Sequence, residues 1–175
     1  MAAPISASKK TALGKTTYWL VPTLTTTGPL VTEVNSVSGL NITGFLLGDQ
    51  ADPSGSTNKV DLPRLLLETT TTETLDATKV SVPDFRGVFD PQAAAGANDK
   101  KFWALVKDGY TGYLIRRQQA VNSVSDAVTT GQFIDWFAVN SSIAVPTASA
   151  ADASGIYVFD VSFACSAFKF NVAVS

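Results

Sequence analysis

The sequence predicts a mainly β protein, a β-sandwich or barrel with one α-helix on its flank. Three observations carry that prediction. Segments rich in β-branched and aromatic residues recur between Gly and Pro turn signals. Residues 157–165 alternate apolar and polar side chains with the period of a half-buried strand. Only residues 98–108 combine helical apolar spacing with a capping residue and a glycine stop. No internal repeat or second compositional region is visible, and 175 residues suit a single domain over residues 1–175 with a core of ordinary size.

Taken in order, residues 1–14 are small and polar and read as a flexible arm. They lack the apolar stretch of a secretory signal. Residues 16–24, Thr-Thr-Tyr-Trp-Leu-Val-Pro-Thr-Leu, read as the first strand, with Pro22 near its end because proline has no ladder donor. After the Gly28-Pro29 turn, residues 30–37 and 40–47 are expected as the second and third strands. Residues 48–63 are polar and rich in Gly, Asp, Ser and Pro, and are expected as a long loop, a feature that is usually functional in a compact domain.

The Thr-rich stretch of residues 64–75 suits a pleated strand, since branching at Cβ disfavours a helix. Residues 78–89 read as a further strand with Val80 and Val82 on one face and Ser81 on the other. In the predicted helix, Asn98 or Asp99 can cap, Phe102, Leu105 and Val106 form the apolar stripe that Trp103 widens, and Gly109 supplies the left-handed stop. Residues 111–118 and 132–140 return to strand. At the C-terminus, Tyr157, Phe159, Val161, Phe163 and Cys165 share one parity, whereas Phe168, Phe170, Val172 and Val174 share the other. A turn or bulge near Ser166 would produce the reversal.

Composition narrows the function. Hydrophobic residues make up 45% of the chain and charged residues 16%, against roughly 25% charged in an average soluble protein. The apolar excess is what burial between copies would require. A net charge of −2 gives no basic surface for phosphate backbones or anionic membranes, and no apolar run is long enough for a transmembrane helix. The single Cys165 excludes an intrachain disulfide and lies on an apolar strand face, as a buried thiol does.

Catalytic chemistry has little to work with. The chain has no histidine, which removes Ser–His and Cys–His catalysis and imidazole metal ligation together. Gly14-Lys15-Thr16 imitates the tail of a phosphate loop, but the pattern's first glycine would fall at Lys9 and a strand follows. Ser6 and Lys9 have dyad spacing within the arm, where nothing preorganises them. Asp49, Asp52, Asp61, Asp84, Asp90 and Asp99 read as solvated loop carboxylates without calcium-loop spacing. Arg116 and Arg117 are adjacent on a strand and so point to opposite faces, at least one of them expected to reach a carboxylate or a neighbouring subunit, the alternative being two solvated edge charges. No enzyme activity, cofactor or metal is expected.

The order of these segments resembles the tail tube proteins, or major tail proteins, of long non-contractile-tailed bacteriophages. The resemblance rests on the polar arm and Thr/aromatic strand, the polar insertion at residues 48–63, and Glu68-Thr-Thr-Thr-Thr-Glu-Thr74. It continues through Arg86-Gly-Val-Phe-Asp-Pro91 before the helix, Asp108-Gly-Tyr-Thr-Gly-Tyr-Leu-Ile-Arg116 after it, Asp135-Trp-Phe-Ala-Val139 and Tyr157-Val-Phe-Asp-Val-Ser-Phe163. It implies a β-sandwich flanked by a helix, assembled into hexameric rings that stack into the tube through which DNA is ejected. The chain would then be a virion protein, assembled in the host cytoplasm, with itself, a tape-measure protein and a tail terminator as partners. DNA would pass the lumen without specific binding.

Carried over, the resemblance places inter-subunit contacts at Lys9, Lys10, Lys15, Asp49, Asp52 and Lys59, with Arg116 and Arg117 as further candidates. Glu68, Glu73 and Asp160, on the polar sides of strands, are candidates for the lumen. Two other readings compete: a head–tail completion or decoration protein, and a carbohydrate-binding module that uses Trp19, Trp103 and Trp136 as stacking platforms.

Overall fold

The run Thr-Tyr-Trp-Leu-Val at residues 17–21 is buried at every position, and the largest sheet is built around it. The computed structural model describes residues 16–46, 52–61, 73–92, 94, 98–118, 127–148 and 157–175. In it, this run is strand β1 (Thr17–Val21). It pairs antiparallel on one side with the short β2 (Leu40–Asn41) and on the other with β6 (Thr111–Arg117). β6 pairs with β7 (Phe133–Ser141), and β7 with β10 (Phe163–Ala173). The sheet order is β10-β7-β6-β1-β2.

A second, three-stranded sheet consists of β5 (Phe85–Phe89), β9 (Tyr157–Val161) and β8 (Pro146–Ala148), in the order β5-β9-β8. The two sheets face each other. Tyr18, Leu20, Leu114, Phe137 and Val139 from the first meet Phe85, Phe159 and Val161 from the second in one apolar cluster. Tyr18 and Phe85 meet edge to face at 5.2 Å between ring centroids, a geometry that aligns ring edge with ring face. The opposite face of the five-stranded sheet carries a second cluster, in which Trp19, Ile115, Ile134 and Trp136 pack with Leu24, Val34, Val128 and Val174.

The predicted helix is present as α2 (Asn98–Val106), following the short α1 (Val31–Val34). Phe102 and Val106 are fully buried, and Phe102 packs on Phe159 at 5.0 Å. The close approach needs Gly87 in β5: a Cβ there would lie 2.5 Å from the Phe159 ring and 2.8 Å from Phe102. Gly109 ends the helix with φ +91°, a conformation that suits glycine.

Five expectations are corrected. Residues 30–37 form no strand. Val31 and Val34 lie three residues apart and both pack in the second cluster, and the Glu33 carboxylate accepts the Leu30 N–H at 2.9 Å, so the local signal is a capped helical turn. Residues 40–47 supply only β2, a 3₁₀ turn (Thr43–Phe45) and a bridge from Leu46 to Gly87. Much of the predicted polar loop at 48–63 is strand: β3 (Ser54–Asp61) pairs antiparallel with β4 (Glu73–Ser81) as a two-stranded ribbon. Residues 78–89 are two strands, interrupted at Val82-Pro83-Asp84, where proline breaks the ladder.

The fifth correction concerns β10. The bulge expected near Ser166 is present, between Cys165 and Ala167. A second register shift lies between Lys169 and Val172. It separates Phe168, which packs with the inter-sheet cluster, from Val172 and Val174 in the other cluster. Asn171 sits at this shift with φ +55°, a left-handed conformation that asparagine tolerates better than most side chains.

Candidate assembly surface

The ribbon differs from the rest of the molecule in what it buries. Ser54, Gly55, Ser56, Thr57, Lys59, Thr78, Lys79 and Ser81 are exposed, and Val80 is buried in the inter-sheet core. Thr57 and Thr78 face each other across the strands with hydroxyls 2.9 Å apart. The described side chains of β3 all lie in water and impose no period-two apolar pattern, so this strand's sequence reads as loop.

The ribbon is rooted through Asp52 and the buried Pro53. The Tyr18 hydroxyl donates to Asp52 Oδ1 at 2.5 Å, and an Arg116 Nη lies 3.4 Å from the same oxygen. Burial, then the bond to this carboxylate, holds the Tyr18 phenol far above its usual range. Arg116 itself is buried and directs Nε (3.0 Å) and a second Nη (2.9 Å) to Asp135 Oδ2. Asp135 Oδ1 accepts the backbone N–H of Asn171 at 2.8 Å. An acid inside the apolar run Phe-Ile-Asp-Trp-Phe was the available sign of such a partner, since a buried carboxylate must be paired. The role of Tyr18 had no such sign.

Arg117 points to the other face, as adjacent strand residues must. It is 2% exposed, stacks 4.9 Å from the Trp19 ring, and donates to Thr17 Oγ1, the Ala127 carbonyl and Gln132 Oε1. The guanidinium groups of both arginines are thus engaged within the chain. Asp160 is exposed on β9 and forms a two-point pair with Arg86, at 2.8 and 3.0 Å. That hydrogen bond lowers the Asp160 carboxyl below its usual range, against a smaller effect of desolvation. Lys59 lies on the exposed ribbon and Glu73 begins β4. Lys9, Lys10, Lys15, Asp49 and Glu68 lie outside the described residues.

One long and one short sheet edge among the described strands, with several apolar side chains, complete the surface. β10 is the outermost strand of the large sheet and β8 of the small one. Ile143 and Val145, which precede β8, are about two-thirds exposed, and Phe133, Phe170 and Tyr157 are about half exposed. Unpaired strand edges and exposed apolar groups are hazards in an isolated chain and suit self-association.

The described residues offer no ligand site of comparable definition. An open groove of about 500 Å³ runs between β4 and β10, lined by Val80, Val82, Phe163 and Phe168 among others, without a convergent set of ionisable groups. No three His, Cys, Asp or Glu among the described residues come together to hold a metal. Among the described residues, no helix is long and apolar enough to cross a membrane. Burial raises the Cys165 thiol. Trp19 and Trp136 are buried, and Trp103 is half-buried with Nε1 donating to the Ala144 carbonyl at 3.1 Å, so none is a stacking platform for a sugar.

No curated protein matches the sequence. A family model described as phage tail tube protein matches residues 4–174. With its antiparallel sandwich and flanking helix, the chain belongs to the phage tail tube protein family, as a structural, non-enzymatic component of the virion's tail that self-assembles into the tube.

Proposed function

We propose that the chain forms stacked, hexameric rings whose sheets join edge to edge around a lumen, and that this tube conducts DNA during ejection into the host. The observation that carries the reading is the contrast between an apolar core packed within one chain and strand edges and apolar groups left exposed. The long edge strand β10, the exposed ribbon and the exposed Ile143, Val145 and Tyr157 lie outside that core. Head-to-tail contacts between such surfaces close into rings when the rotation per subunit permits it.

In this reading the ribbon with Asp52 and Lys59, together with Asp49 and the segment bearing Lys9, Lys10 and Lys15, makes contacts between rings. Arg116 and Arg117 support those contacts from inside the subunit. Glu68, Glu73 and Asp160 face the channel, Asp160 as an ion pair with Arg86, and the carboxylates of Glu68 and Glu73 repel phosphates and keep DNA from sticking. Assembly takes place in the host cytoplasm on a tape-measure protein and is closed by a terminator.

Negative-stain microscopy with light scattering, over a wide range of protein concentration, tests the proposal. Stacked six-fold rings with an axial channel are expected. A chain that stays monomeric throughout overturns it.

A further inference from the structure

The polar residues at the ribbon root continue across the sheet. Tyr18 in β1 lies opposite Arg116 in β6, and Arg116 lies opposite Asp135 in β7. Ile134 and Trp136, the neighbours of Asp135, pair with Val172 and Lys169, so Asp135 faces the second bulge of β10. One transverse row therefore crosses four strands. It begins at the Asp52 carboxylate, bound by Tyr18 and Arg116, and ends at the Asn171 N–H, bound by Asp135.

The two ends of this row are the features that the period of the sequence does not explain. At one end the exposed ribbon leaves the sandwich. At the other, the edge strand of the large sheet carries a non-glycine residue in left-handed conformation. Such a bulge is held only where its surroundings over-determine it. Here the fixing contact is Asp135 Oδ1, and the same carboxylate's Oδ2 fixes Arg116. The Arg116 guanidinium is shared between Asp135 and Asp52, so displacement of either carboxylate shifts the group that orients the other.

We infer that Arg116 and Asp135 are positioning residues that couple the ribbon root to the bulge of β10, through one shared row of charge-assisted bonds. The significance of the coupling rests on the tube reading, which places both the ribbon and the β10 edge at subunit contacts. A subunit whose ribbon is re-aimed by a neighbour would transmit the change to its own edge strand. Incorporation at one surface would thereby adjust the next. Charged, partly desolvated groups in one network are the kind of residues whose perturbations fail to add.

The test is amide hydrogen exchange on the full-length chain, kept below the concentration at which it assembles. Asp52→Asn and Asp135→Asn are compared with the double variant. Asp52 has a side chain 61% exposed, so Asp52→Asn keeps the core even where Asp135→Asn does not fold. The expected result is that Asp52→Asn speeds exchange at the Asn171 amide by about threefold or more, on the far side of the sheet. Asp135→Asn is expected to do the same to the ribbon amides, and the double variant to exchange about as fast as the faster single variant. An Asn171 amide indifferent to Asp52→Asn overturns the inference, as do rates in the double variant equal to the product of the single effects. Failure of the wild type to form tubes would defeat the tube reading and leave this measurement standing, so the two failures are separable.

Discussion

The sandwich and the ribbon are both antiparallel β-structure, but different forces hold them. In the sandwich, Leu20, Phe85, Leu114, Phe137 and Phe159 are completely buried, and apolar contact stabilises the pairing of the strands. In the ribbon, only Val80 among the described side chains reaches the core, and the strands are held by their ladder and by cross-strand contacts such as Thr57 with Thr78. A lone two-stranded ribbon is marginal in water. Its shape is therefore set at its root and by whatever docks on it. Stability belongs to the sandwich, and in the proposed tube the contacts between rings belong to the ribbon.

Three variants would break or sharpen that division. Gly87→Ala has the largest expected effect. Its Cβ would meet two packed rings that cannot swing away, costing about 3 kcal/mol and lowering the urea midpoint of the whole domain. A variant as stable as wild type would show that α2 does not bear on the core.

Glu33→Gln comes next. The Glu33 carboxylate accepts the N–H of Leu30 and the N–H and hydroxyl of Thr25, so loss of its charge is expected to cost about 1 kcal/mol. Desolvation of the carboxyl is outweighed by those bonds, and its pKa is lowered in the fold. Its stabilising contribution is therefore complete above the ordinary carboxylate range, about pH 4, and disappears as pH falls through the lower folded value. Urea midpoints measured at pH 6 and pH 3 should converge for wild type and Glu33→Gln at the lower pH.

Thr57→Ala with Lys59→Ala, on the exposed ribbon, should change the unfolding free energy by no more than about 0.5 kcal/mol while slowing tube growth measured by turbidity. A large loss of stability with unchanged growth would reverse the roles of the two regions.

How much of this was legible in the sequence follows the same division. The helix at 98–108 and the bulge near Ser166 were readable because burial imposes a period on the residues it selects. Phe102, Val106, Phe159 and Val161 announce their own faces. Residues 30–37 misled because only Val31 and Val34 carry the helical spacing, and a four-residue helix lies below the length at which periods are distinguishable. β4 was readable in part, within the strands expected at 64–75 and 78–89, whereas β3 was missed because its described side chains are all exposed and impose no period. The second bulge was missed because its cause is remote: Asp135, 36 residues away, holds the Asn171 N–H. The row from Asp52 to Asn171 joins four strands, and no local window contains it.

The most direct measurement removes the ribbon. Residues 55–79 can be replaced by a short Gly/Ser turn, because Ser54 and Ser81 already pair at its base. Thermal unfolding and negative-stain microscopy of this variant then report on the two regions separately. A folded protein with a cooperative transition and no tubes is the predicted result. Tubes like those of the wild type, or a chain that no longer folds, would contradict the assignment of stability to the sandwich and assembly to the ribbon.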